Sequence, residues 1–226
     1  MDAFLQIAPY HGCIMNRETS RISVLTGDLV NSTGLGPENV ERAFDALEAC
    51  AEMQAGWMNG QSLHFTRHRG DGWQVALAEP KYALRSALHF KASLRSLGDE
   101  FDSYIGIAEG DVSKPISENL NGANFPVFVT SGHALDQAQK SKHRLIYDNS
   151  HPAHSVTVLL DRICKEWTPT QAQAVRERLH PHKNPTLSEV AVRLGKSRQA
   201  VSKSLYAAWY FELLLTVENI ENFAHA

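Results

Sequence analysis

Two β-prone runs, LHFTRH and WQVALA, are joined by nothing more than Arg69-Gly70-Asp71-Gly72. Asp-Gly between alternating apolar residues is a strong hairpin signal, because both residues tolerate the backbone angles of a tight reversal. What flanks this hairpin narrows the fold further. Upstream, residues 21–33 (RISVLTGDLVNST) are a β-branched run ending in a polar turn. GPENVERAFDALEACAEMQAGW follows, with Val40, Phe44, Leu47 and Ala51 at helical spacing. Downstream, EPKYALRSALHFKASLRSLG places Tyr82, Leu84, Leu88, Leu94 and Leu97 on one face of an amphipathic helix that stops at Gly98. SYIGIAEGDV then reads as a strand. The order β-α-β-β-α-β predicts an α+β fold of the split βαβ, ferredoxin-like or palm kind over residues 1–157. FPVFVTSGHALDQAQ turns from strand-like into helical, and HRLIYD and HSVTVLLDRIC supply further strand or helix.

Residues 158–226 have a different character and read as a second domain. TPTQAQAVRERL starts a helix at Thr168 or Thr170, HPHKNP is a loop, and TLSEVAVRLGKSRQAVSKSL holds two short helices hinged at Gly195. Val190, Ala191 and Leu194 are expected to bury the first helix, and Ala200, Val201 and Leu205 the second, which Ser197 can cap. Arg198, Gln199, Ser202 and Lys203 are left facing outward. Arg and Gln suit base edges, Ser and Lys suit phosphates. This looks like a helix-turn-helix, all-α or winged, with residues 198–206 as the recognition helix. Its expected partner is double-stranded DNA, with Ser197, Arg198, Gln199, Ser202 and Lys203 as contacts. A helical hairpin with a solvated basic face is the plainer alternative. Charge favours the first: residues 161–206 hold nine Lys/Arg against four Asp/Glu, a net +5, so the rest carries −8 of an overall −3. The last segment, AAWYFELLLTVENIENF, puts Tyr210, Leu213, Leu214, Val217 and Ile220 on one stripe. That stripe either covers the small domain's core or pairs with a second copy.

With 226 residues, 43% of them hydrophobic and 21% charged, the chain can build one large or two small well-filled cores, and global disorder is not expected. Cys13, Cys50 and Cys164 are far apart, without metal-finger spacing, so each is expected to be a packing residue in a reducing cytoplasm. No run approaches the roughly 18 apolar residues of a membrane span. The beginning, MDAFLQIAPYHG, has no basic flank or long apolar run, so no signal peptide is expected. The histidines, including His64, His68, His180 and His182, are read as surface or packing residues.

The chemistry lies in two aspartates. Asp28 ends the first strand and Asp71 sits in the hairpin turn. A palm sheet places those elements side by side, so the carboxylates can converge. Two carboxylates with the Leu29 backbone carbonyl would suit Mg²⁺ or Mn²⁺ carrying a triphosphate. Backbone amides around residues 31–36, with Asn31, Ser32 and Thr33, would cradle phosphate. As simpler roles, Asp28 is a strand-end cap and Asp71 a turn residue.

At these residues a resemblance can be named. GDLVNST, RGDGWQVAL and YIGIAEGDV resemble, in order and spacing, three motifs of class III nucleotidyl cyclases. Together with the C-terminal helix-turn-helix, the chain is similar to the SatD-type family of bacterial proteins. The resemblance implies that Asp28 and Asp71 bind metal, and that a nucleotide meets Asp28, Asn31, Ser32, Thr33, Arg67, Arg69 and Asp71. It also implies a homodimer. Two departures stand out. Arg67 occupies the position four before Asp71 where these cyclases carry a base-selecting Lys or Glu. Thr130 and Ala134 fall where they carry an Asn and a transition-state Arg, with His133 or Arg144 as the nearest substitutes. Losing such a guanidinium typically costs about a thousandfold in rate. The expectation is therefore a DNA-binding transcriptional regulator whose cyclase-like domain senses a nucleotide, for instance a cyclic dinucleotide. An active cyclase with an appended DNA-binding module is the alternative.

Overall fold

The computed structural model describes residues 19–59, 63–68 and 70–223. At its centre β1 (Ser20–Leu29) pairs antiparallel with β3 (Gly72–Leu77) on one side and with β4 (Ser103–Val112) on the other. β2 (Leu63–Arg67) folds back on β3 at one edge, and β5 (Leu145–Tyr147) lies parallel to β4 at the other. The five-stranded order is β2-β3-β1-β4-β5. A short turn of helix, α1 (Ser32–Leu35), leads into α2 (Pro37–Ala55), which connects β1 to β2; α3 (Ala83–Arg95) connects β3 to β4. The α+β class is as expected, and the first four strands have the split βαβ order.

Strand alternation divides the core. Leu25, Trp73, Val75, Leu77, Ile105 and Ile107 face α2 and α3. Ile22, Val24, Ala76 and Ala108 face α4 (Pro126–Lys140), which returns the chain from β4 to β5 across the opposite side. The strand-like start expected for FPVFVT is helix from Pro126 onward. Proline is well placed at the first helical position, and Val127 and Phe128 serve packing on the sheet rather than strand pairing. α4 lies very close to β4. A Cβ at Gly106 would sit 2.2 Å from the Leu135 amide nitrogen and 2.3 Å from the Ser131 carbonyl oxygen. Beside it the hydroxyls of Thr26 and Ser131 share a buried 2.7 Å hydrogen bond.

α3 departs furthest from its sequence pattern. It reads as an amphipathic helix, yet all 13 of its residues are buried. One side meets the sheet; the other is covered by α5 (His154–Lys165), α6 (Pro169–Arg178) and the chain beyond. Its charges are paired rather than wet. Arg85 forks onto Glu221 at 2.6 and 2.8 Å and donates to the Leu179 carbonyl at 3.1 Å. Lys91 donates to Asp102 at 2.6 Å. The expected boundary between residues 157 and 158 falls inside α5, and one apolar cluster runs from Trp73 and Phe90 to Val175, Leu205 and Leu213.

The C-terminal part continues with α7 (Leu187–Leu194), α8 (Arg198–Ala207) and α9 (Tyr210–Phe223). No strand follows β5 among the described residues, so this part is all-α there. Cys50 and Cys164 are buried free thiols, and Cys13 lies outside the described residues. No helix among the described residues is long and apolar enough to cross a membrane.

Candidate functional site

Asp28 stands opposite Gly72 of β3 and Tyr104 of β4, on the strand positions that face α4. The hairpin turn closes over this end of β1: the Leu29 amide donates to the Asp71 carbonyl at 3.1 Å. That backbone bond brings the two carboxyl groups together, and Asp28 shares a hydrogen bond with Asp71. Ser32 Oγ donates to Asp71 Oδ2, and Gln139 Nε2 donates to Asp28 Oδ2 at 2.7 Å. Gln139 was not among the expected residues. It lies in the polar last turn of α4, where nothing local distinguishes it from a solvated glutamine.

Burial, then the neighbouring charge of Asp71 and the hydrogen bond between them, push the Asp28 pKa from 3.8 up to about 6, against the opposing pull of the Gln139 amide. Between those two pH values the folded chain holds a proton that the unfolded chain has released. This group's contribution to stability therefore falls as pH rises from 3.8 to about 6. Urea melts in EDTA are expected to show that decline, and Asp28→Asn to flatten it; an unchanged slope in the variant would assign the decline elsewhere.

The donor set is hard oxygen only, which suits Mg²⁺ or Mn²⁺. Such ions are commonly held by one or two carboxylates, with phosphate oxygens and water completing the shell. Asp28 and Asp71, with the Leu29 carbonyl, would hold the ion, and the ion would neutralise phosphate charge there. No group of three or more His, Cys, Asp or Glu able to hold a metal occurs among the described residues. Of the amides expected to cradle phosphate, those of Gly34 and Leu35 bond to the Asn31 carbonyl at 2.9 and 3.0 Å, and that of Gly36 bonds to the Ser32 carbonyl at 3.3 Å. The amides of Ser32 and Thr33, at the start of α1, have no intrahelical acceptor. Asn31 turns the chain with a left-handed backbone (φ 53°).

Arg67 does not join this group. It pairs with Trp73 in the β2–β3 ladder, and its guanidinium lies 3.8 Å over the ring of Phe44 on α2. There it forks onto Glu41 with two 2.8 Å hydrogen bonds. Alternation thus puts Arg67 on the sheet face away from Asp28. Arg69 lies outside the described residues. On α4, the Thr130 hydroxyl donates to the Pro126 carbonyl at 3.0 Å, and Ala134 is buried against β4. His133 is on the exposed side of that helix, and Arg144 is held by Asp102 at 2.7 Å.

The second candidate surface is α8. Thr186 and Glu189 cap α7 reciprocally, and Gly195 ends it in the left-handed conformation (φ 61°) that glycine adopts without strain. Ser197 Oγ accepts from the Ala200 amide at 3.1 Å and starts α8. Val190, Ala191, Val201 and Leu205 are buried, whereas Ala200, expected to be buried with them, is exposed. It sits in the first turn of α8, before the helix reaches its neighbours. Arg198, Gln199 and Lys203 are exposed and Ser202 partly so; with Leu187 and Tyr206 they line a shallow groove.

No protein-family model matches the chain, and none of the curated proteins does.

Proposed function

We propose that the chain is a DNA-binding transcriptional regulator whose N-terminal sheet binds a nucleotide through a divalent cation at Asp28 and Asp71. The observation that carries the reading is α8: a capped helix, anchored by Val201 and Leu205, presents Arg198, Gln199 and Lys203 to solvent. These side chains supply bidentate base contacts and a phosphate contact from one exposed face. The sensing half rests on the convergence of Asp28 and Asp71, a place where a bound cation would relieve carboxylate repulsion and in turn attract a phosphate. A homodimer fits the same picture, since helix-turn-helix proteins commonly read paired half-sites. Trp209 and Leu215, 58% and 61% exposed, offer it an apolar surface on and beside α9.

The test is selection of duplexes from a random-sequence pool, followed by anisotropy on the winner with Mn²⁺ and ATP, GTP or a cyclic dinucleotide. We expect a specific duplex whose affinity changes by about fivefold or more with one nucleotide, and no change in Asp28→Asn. Failure to enrich any duplex overturns the DNA reading. A specific duplex indifferent to every nucleotide overturns the sensing half. A cyclic product from ATP or GTP that Asp71→Ala abolishes replaces sensing with catalysis.

A further inference from the structure

A cleft of about 1130 Å³ opens between the sheet-covering helices α2 and α3 and the C-terminal helices α6 and α7. It is separate from both surfaces above: the carboxylate pair lies on the α4 side of the sheet, and no residue of α8 lines the cleft, although α7 borders both. Pockets for small organic ligands span about 300–1,000 Å³ and combine apolar walls with a few convergent polar groups. This cleft has that make-up. α2 supplies Ala46, Ala49 and Met53 to one wall, and α7 supplies Val192, 82% exposed and so uncovered by the rest of the chain.

The charged groups around it are unequal in what they leave free. Glu177 is held by Arg193 at 3.2 Å and by Arg176 at 3.9 Å. Glu189 accepts from the Thr186 amide at 2.6 Å as a helix cap. Both carboxylates are therefore engaged, while Lys183 makes no ion pair among the described residues. Beside Arg176 lie polar, uncharged groups. His89, buried, places Nδ1 3.1 Å from Cys50 Sγ and 3.5 Å from Ser93 Oγ. Burial pushes the His89 pKa down to about 3 and the Cys50 thiol up to about 12, so neither carries charge at neutral pH. His180, lowered to about 4 by burial and then by Lys183, is neutral there as well.

We propose that this cleft is a binding site for a small amphipathic organic anion, its apolar body against Ala49, Met53 and Val192 and its acidic group on Lys183. The site stands on its own geometry. Because such a ligand touches both α2 and the first helix of the helix-turn-helix, its influence on DNA rests on the reading above.

The probe is 8-anilinonaphthalene-1-sulfonate, an aromatic anion whose fluorescence rises on transfer from water, titrated into the full chain. We expect saturable one-to-one binding. Ala49→Trp fills the mouth and Lys183→Glu repels the sulfonate; each is expected to weaken binding about tenfold or more. Both positions are exposed, so melting temperatures should stay unchanged. N-phenyl-1-naphthylamine, the uncharged counterpart, is expected to bind more weakly than the anion and to be indifferent to Lys183→Glu. Absence of saturable binding overturns the proposal. Fluorescence that survives Ala49→Trp but is lost in Leu215→Glu places the probe on the exposed face of α9, and equal binding of the neutral probe removes the anion; either result overturns it too.

Discussion

Arg198→Ala is expected to weaken binding of the selected duplex by about 10- to 100-fold and to flatten its sequence preference at one base pair. Arg198 and Gln199 begin α8, and base contacts in helix-turn-helix proteins come from the N-terminal residues of the second helix. A guanidinium there can fork onto a guanine edge, a contact worth about 1–3 kcal/mol of discrimination. Under the same proposal Lys203, one turn further on, would meet phosphate. Lys203→Ala should therefore weaken all duplexes alike and lower the slope of log affinity against log salt by about one. The two substitutions have different signatures, which anisotropy across a mismatch panel and a salt series separates. Both side chains are exposed, so loss of binding cannot be ascribed to unfolding if the melts are unchanged. Parental affinity and specificity in both variants would place any DNA contact away from α8.

The largest effect on stability is expected from Asp102→Ala. Asp102 is 3% exposed and accepts from Lys91 at 2.6 Å, Arg144 at 2.7 Å and its neighbour's amide at 2.8 Å, with Arg95 at 3.6 Å. Burial alone would raise its pKa, but the charges and hydrogen bonds of Lys91 and Arg144 hold it below the usual carboxylate range. Its carbonyl also receives the Val30 amide at 2.9 Å, which ties the end of β1, and so the Asp28 pair, to the start of β4. Without the carboxylate, Lys91 keeps only the Ser103 carbonyl at 3.2 Å and Asp161 at 3.8 Å. Stranding a buried charge typically costs about 3–5 kcal/mol, against a total of about 5–15 kcal/mol for a domain. Urea unfolding should show this loss, and adding Lys91→Met to Asp102→Ala should recover part of it, because the stranded charge is gone. No recovery in the double variant would mean that the carboxylate acts through Arg144 and Arg95 instead.

Much of this was legible in the residues because it is local. The Gly70-Asp71-Gly72 reversal, the apolar periods on either side and the position of Asp28 at a strand end imply the sheet order that brings the two aspartates together. The α7–Gly195–α8 turn was legible for the same reason, since caps, a left-handed glycine and small buried residues act within a few positions of one another. The strand reading of FPVFVT failed because β-branched and aromatic residues pack equally well from a helix that lies flat on a sheet.

What the sequence determined by itself, then, is the split βαβ run of elements with Asp28 at a strand end and Asp71 in a hairpin turn, and the α7–Gly195–α8 turn, because side-chain period, turn chemistry and capping are short-range properties. Only the tertiary structure decided which charges are solvated. Arg85, Lys91 and Arg95 lie outside the apolar stripe of their helix, and only the fold brings Glu221 and Asp102, distant along the chain or across a turn, to close on them. It also decided that Arg67 belongs to Glu41 rather than to a phosphate, and that Gln139 reaches Asp28. Each of these depends on how helices dock on the sheet, and docking is set by the shape of the whole core rather than by any window of residues.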